Sequence, residues 1–210
     1  MNAAIWMLRY HIDESARETY VSWFHDVHIP EKLARPGYTW ANHYVAPTVS
    51  TNGTREYIAM FGGTQTRVFL DPSPAQLKPR QDALTREMMQ LRQQSNGVIL
   101  AHEWSAGEGD ATSATPVHSA ALRVHWLATQ NADEAIGAYA VQTLAPQLVG
   151  HEQTTRITKL IAVTHGTRHV LVEQCSAVAS ADANSVDDSA LPQDVTHSMF
   201  AGERLWPTAN

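Results

Sequence analysis

The stretch that decides the fold reads Trp23-Phe-His-Asp-Val-His28-Ile-Pro30-Glu31, passes through Pro36-Gly37 and continues as Trp40-Ala-Asn-His43-Tyr44. Its first part has the apolar spacing of a helix, the Pro-Gly pair ends that helix, and its last part predicts a strand. These 22 residues hold three histidines, two tryptophans, two tyrosines and a phenylalanine. Aromatic walls with histidines among them indicate a ligand pocket between the helix and the strand.

The segments around this stretch complete a β-α-β-β-α-β unit, the order of a ferredoxin-like fold. Acidic residues at Asp13-Glu14-Ser15 favour a helix start there, and the turn Ser50–Thr54 joins two strands as a hairpin. The predicted elements are a strand over 3–11, a helix from Asp13 to Pro36, strands Trp40–Ala46 and Arg55–Phe61, a long helix Pro74–Gln94 and a strand Val98–Trp104. Pro79 either kinks this long helix or marks its true start.

A second unit follows the Gly-, Ser- and Thr-rich stretch Ser105–Pro116, which predicts a linker. A shift of 116 residues carries Tyr10 onto Trp126 and Pro30 onto Pro146. The chain is therefore predicted to hold two diverged copies of one unit, residues 1–108 and residues 117–210. The predicted elements of the second copy are strands Ala120–Ala128, Thr155–Val163, Arg168–Cys175 and His197–Trp206, a helix Asn131–Leu148 and a shorter helix around 183–192.

A repeated unit has a physical purpose, because a four-stranded antiparallel sheet with helices on one face leaves its other face uncovered. A tandem copy supplies the cover within the chain. We therefore predict an α+β fold in which two tandem ferredoxin-like repeats pack their antiparallel sheets into an intramolecular α+β barrel. Such a chain is viable as a monomer, and a homodimer is left open.

Bulk composition narrows the classes of partner. The chain has 210 residues, of which 43% are hydrophobic and 17% charged, and its net charge of −6 argues against nucleic acid. The N-terminal residues do not predict a signal peptide, and no apolar run is long enough to predict a membrane span. The single cysteine, Cys175, excludes an intramolecular disulfide and fits a buried thiol in a cytoplasmic protein. A small-molecule substrate is the expected partner.

The pattern Trp23-x-x-x-x-His28-x-Pro30, then Pro36-Gly37 and a strand carrying Tyr44, resembles the EthD-like members of the dimeric α+β barrel superfamily. The resemblance covers about residues 20–46. That superfamily includes cofactor-free isomerases and cyclases, quinone-forming monooxygenases, haem enzymes and small accessory proteins, so the fold alone does not give the function. The second copy has Leu144 in place of His28, which implies that only the first copy keeps a working pocket.

Four residues are candidates for catalysis. His25 and His28 lie about one turn apart on the predicted helix, and a histidine near neutral pKa suits general acid–base work. His43 and Tyr44 alternate to opposite faces of their strand, so only one of them shares a pocket with His28. The sequence leaves the choice open, and the resemblance implies Tyr44.

The predicted pocket walls are aromatic, with one charged residue near them. Arg9 interrupts an apolar strand, where it either holds a substrate carboxylate or forms an ordinary ion pair. A metal site is not predicted, because His25 and His28 supply two nitrogens and a third ligand would have to come from a distant element such as His43 or His102. The predicted substrate-binding residues are Tyr10, Trp23, Phe24, Trp40 and Arg9.

The sequence thus predicts a cofactor-free enzyme that moves a proton next to a carbonyl group, as an isomerase, cyclase or lyase. Its substrate would be an aromatic, lactone or polyketide-like intermediate of catabolism or biosynthesis. Two alternatives stay open. One is an oxidative enzyme that uses O₂ on an electron-rich phenol or holds haem, and the other is a non-catalytic accessory or binding protein.

Overall fold

The computed structural model of the chain describes residues 3–116, 119–129, 133–164, 167–177 and 186–207. Within these ranges eight antiparallel strands close into one barrel, with helices on its outside, so the predicted α+β barrel is confirmed. The strands are β1 (Ala4–Asp13), β2 (Tyr38–Val49), β3 (Thr54–Gly63), β4 (Gln93–Gly107), β5 (Ala121–Ala128), β6 (Thr154–Ala162), β7 (Thr167–Cys175) and β8 (Thr196–Trp206).

The strand order around the barrel is β1-β3-β2-β8-β5-β7-β6-β4. The strands of the first half therefore lie side by side as β4-β1-β3-β2, and those of the second half repeat the order as β8-β5-β7-β6. The halves join edge to edge at two hydrogen-bonded seams, where His43 pairs with Trp206 and Leu100 pairs with Ala162. Closure leaves no free edge among these eight strands. The origin of the halves by duplication stays a prediction.

Alternation along the strands separates an apolar barrel interior from the faces that the helices cover. The interior is filled by side chains rather than by a channel. Its buried members include Ile5, Met7, Tyr44, Ile58, Met60, Val98, Leu100, Leu122, Val124, Trp126, Leu160, Val170 and Phe200.

The helix of the first half runs from Glu14 to Leu33 with a wide turn in its middle. The Asp13 side chain accepts a hydrogen bond from the Ser15 backbone at 2.9 Å, which fixes the start. Pro30 has no N–H to donate and its ring would crowd a carbonyl one turn back, so the preceding residues open into a π-turn. The segments are a 3₁₀ turn Glu14–Ala16, α1 (Arg17–Trp23), a π-turn Phe24–His28 and α2 (Ile29–Leu33).

The helix of the second half repeats this pattern 116 residues later. It comprises α5 (Asp133–Tyr139), a π-turn Ala140–Leu144 and α6 (Ala145–Val149), with Pro146 placed as Pro30 is. The same shift is wrong for the first strand of each half. Tyr10 belongs to the cluster under the helices, whereas Trp126 points into the barrel. An alignment that is wrong by one residue exchanges the two faces of a strand. A single shift of 116 therefore cannot align both the helix and the first strand.

The predicted long helix Pro74–Gln94 is wrong. The structure has α3 (Pro74–Leu77), a 3₁₀ turn Lys78–Arg80 and α4 (Ala83–Gln90), and β4 already begins at Gln93. Pro79 lacks a backbone N–H and restricts the residue before it, which breaks the helix. The Asp82 side chain then starts α4 by accepting from the Thr85 backbone at 2.8 Å.

The predicted linker Ser105–Pro116 packs against the barrel instead of spanning a gap. Its first residues belong to β4, and Ser113 and Ala114 are buried. The buried guanidinium of Arg156 donates to the carbonyls of Asp110 and Ser113, each at 2.7 Å. This loop therefore seals one end of the interior.

Two other expectations meet the limits of the described residues. Part of the predicted helix around 183–192 lies outside them, and the part inside holds a 3₁₀ turn, Asp188–Ala190. No helix among the described residues is long and apolar enough to cross a membrane.

The helix-covered face of the second half contains a buried carboxylate, Glu173, that the sequence analysis missed. It accepts from Arg123 at 2.7 Å and from His151 at 3.0 Å, with Thr154 and His125 also bonded to it. Burial alone would raise the pKa of Glu173, but the hydrogen bonds outweigh it and lower the pKa to about 2. A carboxylate satisfied on every side acts as a structural centre.

We predict that Glu173→Gln destabilises the fold by about 3 kcal/mol at pH 7, because a buried ion pair that loses one partner leaves uncompensated charge. A carboxyl whose pKa falls to about 2 on folding stabilises the protein above its ordinary pKa of 4.5, and this contribution is lost as pH falls. Urea unfolding should therefore separate wild type and variant more at pH 7 than at pH 3. Exposed Glu152→Gln is the control, and an equal gap at both pH values would contradict the assignment.

Candidate functional site

The space between α1–α2 and the sheet of the first half, called the first interlayer, is lined by Tyr10, Tyr20, Phe24, His43 and Tyr57. All five side chains are fully buried, at 0% exposure. Strand alternation places His43 in this space and Tyr44 in the barrel interior. The open choice between these two residues is thus settled in favour of His43 as the neighbour of the helix.

Two histidines and a tyrosine form a continuous hydrogen-bonded chain, the His25–His43–Tyr10 chain. Nε2 of His25 lies 2.8 Å from Nδ1 of His43, and Nε2 of His43 lies 2.9 Å from the Tyr10 hydroxyl. His25 is partly exposed, while the other two are fully buried. The chain therefore connects the protein surface to a buried phenol.

The chain has two directions, since a neutral imidazole carries a proton on one nitrogen only. When Tyr10 donates to His43, His43 donates onward to His25. In the reverse arrangement His25 donates inward through Nε2, and its Nδ1 carries the free lone pair of a base. Every group is uncharged in both arrangements, which differ in the nitrogen that holds the proton on each imidazole and in the direction in which the Tyr10 hydroxyl points.

Burial keeps the chain uncharged at neutral pH. It lowers the pKa of His25, an effect that the nearby Asp26 carboxylate partly opposes. It lowers the pKa of His43 further, with contributions from His25 and Arg92. Burial also raises the pKa of Tyr10 well above its usual value, so the phenol keeps its proton.

His28 stands apart from this chain. Its ring centroid lies 4.8 Å from that of Trp23 and 5.3 Å from that of Phe24, and it is 1% exposed. The ring centroid of Phe24 also lies 4.7 Å from that of His43, so Phe24 lies between His28 and His43. Burial and the nearby charges of Lys32, Arg92 and Arg35 hold the pKa of His28 well below its usual range.

Arg92 is the site residue that the sequence analysis missed. Its guanidinium carbon lies 4.6 Å from the Tyr10 ring centroid, and its Nε donates to the Tyr20 hydroxyl at 2.6 Å. The predicted helix to Gln94 would have left Arg92 on a helix surface. Because α4 ends at Gln90, Arg92 instead stands in the turn before β4 and reaches the first interlayer. The break at Pro79 was the available signal.

The remaining predicted residues divide between the two faces of the sheet. Trp23 lies in the first interlayer beside His28. Trp40 packs against the interior cluster, and Arg9 pairs with Glu56 with its guanidinium 4.6 Å from the Trp126 ring. The structure thus does not bring Tyr44, Trp40 or Arg9 together with His28, and Arg9 adopts the ion pair that the sequence left open.

The first interlayer does not fit a haem. Haem iron needs an axial ligand and the macrocycle needs a wide apolar cavity. Both ring nitrogens of His43 are hydrogen-bonded, and His28 is stacked against Trp23 and Phe24. Across the described residues, no group of three or more His, Cys, Asp and Glu side chains is arranged to hold a metal ion.

No protein-family model and no curated protein matches the sequence. Solved structures do resemble it along nearly the whole chain. An anthrone oxidase-like protein matches with a TM-score of 0.61 and 10% identity, covering 97% of this chain and 91% of its own.

Two further structures give similar values. A mutant chlorite dismutase from Candidatus Nitrospira defluvii, in complex with cyanide, has a TM-score of 0.56 and 8% identity, covering 97% of this chain and 91% of its own. A "putative monooxygenase" from Lactobacillus acidophilus has a TM-score of 0.56 and 9% identity, covering 96% and 94%. Identities this low show the fold alone. The chain therefore has the fold of the dimeric α+β barrel proteins, with the eight-stranded barrel completed within one chain.

Proposed function

We propose that the chain is a small-molecule enzyme in which the His25–His43–Tyr10 chain removes a proton from a substrate bound at the exposed side of His25. The observation that carries this proposal is the unbroken series of hydrogen bonds of 2.8 Å and 2.9 Å from a partly exposed imidazole to a buried phenol. General bases of this kind act by direct contact with the proton that they remove. The sequence hypothesis named His28 as the base, but its 1% exposure favours His25 as the residue that meets the substrate.

The lowered pKa of both histidines defines the kind of substrate. A histidine with a lowered pKa is mostly unprotonated at pH 7, yet it is a weak base. It therefore suits a substrate whose anion is strongly stabilised, such as a phenol or a carbon acid next to a carbonyl on an aromatic or lactone ring. The proton gained is shared between His25 and His43, and burial returns it readily to the product or to water.

Two fates of the substrate anion are compatible with this step. Return of the proton to another carbon, or loss of a leaving group, gives an isomerase, cyclase or lyase. Transfer of electrons from the anion to O₂ gives an oxidative enzyme, and the oxidase and monooxygenase names of the structural neighbours favour this second fate. Neither fate requires a cofactor for the proton step.

The halves of the chain have different roles in this proposal. The first half, residues 1–108, would be an EthD-like unit that carries the site. The second half, residues 117–210, would be a diverged copy that completes the barrel, with Leu144 in place of His28. A non-catalytic accessory protein is the alternative that the experiments below separate. All residues of the proposed site come from one chain, and a homodimer is left open.

Replacing the ends of the chain should reduce proton removal. Anthrone in anaerobic D₂O provides a test, because exchange of its acidic hydrogens is followed by NMR against the buffer rate. We expect His25→Gln to lower the enzymatic exchange rate by about 100-fold, the usual scale of general-base catalysis, and Tyr10→Phe to lower it less. O₂ uptake in air then distinguishes the oxidative fate.

Tyr38→Phe is the matched control, since Tyr38 packs beside the same cluster without joining the chain. Full exchange in His25→Gln would overturn the assignment. A larger loss in His28→Gln than in His25→Gln would return the role of base to His28.

The pH dependence of exchange should follow the neutral histidines. Because burial lowers the pKa of His25, activity should be constant above pH 7 and fall only on the acid side of the ordinary histidine pKa of 6.5. Asp26 opposes this lowering, so Asp26→Asn should move the acid limb to still lower pH. Rates measured between about pH 4.5 and 9 decide the point. An acid limb above 6.5, or one unmoved by Asp26→Asn, would show that another group titrates.

A further inference from the structure

Three nitrogen atoms in the first interlayer are buried without a hydrogen-bond partner among the described residues. They are Nε1 of Trp23, Nδ1 of His28 and Nη2 of Arg92. Buried polar atoms in folded proteins are almost always paired, so each exception calls for an explanation. The hydroxyl of Tyr57 is a further unpaired atom in this space, whereas the three nitrogens lie on neighbouring side chains that one ligand oxygen could serve.

The three side chains lie around one aromatic patch, formed by the rings of Tyr20 and Phe24. The Trp23 and His28 rings lie 4.8 Å apart, and the guanidinium carbon of Arg92 lies 5.4 Å from the ring of Phe24, which stacks on His28. Tyr20 connects Trp23 with Arg92. Its ring centroid lies 5.6 Å from that of Trp23, and its hydroxyl accepts a hydrogen bond from Arg92. The bond through Nε fixes the guanidinium and leaves Nη2 as its unused donor.

The charges around His28 are mainly positive. Lys32 is 5% exposed one turn along the helix, and Arg35 follows on the same side. Glu31 is the carboxylate that pairs with both, at 3.3 Å and 2.9 Å, and its side chain is 44% exposed. Lys32, Arg92 and Arg35 each act on His28 closely enough to lower its pKa. A positive, partly dehydrated environment favours an anion.

We propose that Trp23, His28 and Arg92 form an oxyanion subsite that binds the carboxylate or phenolate oxygen of an aromatic ligand. The indole and guanidinium N–H groups donate to the oxygen, and neutral His28 donates in the tautomer with its proton on Nδ1. The ligand ring itself stays outside these buried rings, beside the partly exposed Arg92. Arg92 is half-buried in the turn before β4, so the ligand enters from that side.

This inference deepens the proposed function and rests on it for the identity of the ligand as a substrate. It assigns to the substrate a negative oxygen held about one side chain away from the His25–His43–Tyr10 chain, with Phe24 between the two. Arg92 belongs to the subsite and also contacts the His25–His43–Tyr10 chain, because its guanidinium lies over the Tyr10 ring. Stabilising the anion there would compensate for a weak base.

Isothermal titration with 2-naphthoate and its neutral analogue 2-naphthamide tests the subsite without turnover. We expect 2-naphthoate to bind at least about tenfold more tightly, the usual effect of a charged hydrogen bond. Arg92→Gln should remove that preference. Trp23→Phe deletes one N–H while keeping an aromatic ring, and should weaken 2-naphthoate several-fold with little effect on 2-naphthamide.

Arg80→Gln controls for the loss of a positive charge, since Arg80 is exposed in the 3₁₀ turn Lys78–Arg80. A second readout is the NMR titration of His28, whose pKa should rise when 2-naphthoate binds. Equal affinity for the two probes, a Kd for 2-naphthoate weaker than about 1 mM, or an unchanged preference in Arg92→Gln would each overturn the subsite. If binding fails while His25→Gln still abolishes exchange, the subsite is wrong and the proposed function stands. If 2-naphthoate binds as expected but neither the wild type nor any variant exchanges the anthrone hydrogens, the subsite stands and the proposed function is wrong.

Discussion

Hydrogen bonding at the two seams, β2 with β8 and β4 with β6, is the constraint on which the structure depends. Closure gives every strand an inner face that must be apolar and an outer face that a helix must cover. Polar side chains buried under those helices lack water, so they have to bond to one another. The His25–His43–Tyr10 chain and the bonds around Glu173 are two solutions to that one requirement.

The two solutions differ in what they leave available for chemistry. Glu173 holds a full negative charge and is surrounded by donors from Arg123, His151 and Thr154. Such a centre is satisfied and fixed. The chain in the first half holds no charge, ends at a partly exposed imidazole, and can reverse the direction of its hydrogen bonds. This difference is the reason that our proposal places proton exchange in the first half.

The sequence was sufficient to predict the order of the elements. It was insufficient to predict which face of each strand the helices cover. Pro36-Gly37 marked the end of the helix because Gly37 adopts a φ of +85°, which glycine tolerates best. Alternation placed His43 and Tyr44 on opposite faces, but only the barrel decides which face the helices cover. The shift of 116 residues aligned the π-turns correctly and inverted the first strand, since helix and strand alignments respond differently to a gap. Arg92 was missed because a helix prolonged past Pro79 kept it away from Tyr10 and Tyr20.

The unpaired nitrogens of Trp23, His28 and Arg92 have an energetic consequence in the protein without ligand. A buried donor that finds no acceptor costs about 1 to 3 kcal/mol, which is a large share of the stability of a typical domain. Apolar residues at these positions would remove that cost and keep the core filled. Function commonly requires such locally unfavourable arrangements, whereas stability alone does not favour them. The cost is recovered when a ligand oxygen accepts all three hydrogen bonds, so that binding and local stability are linked.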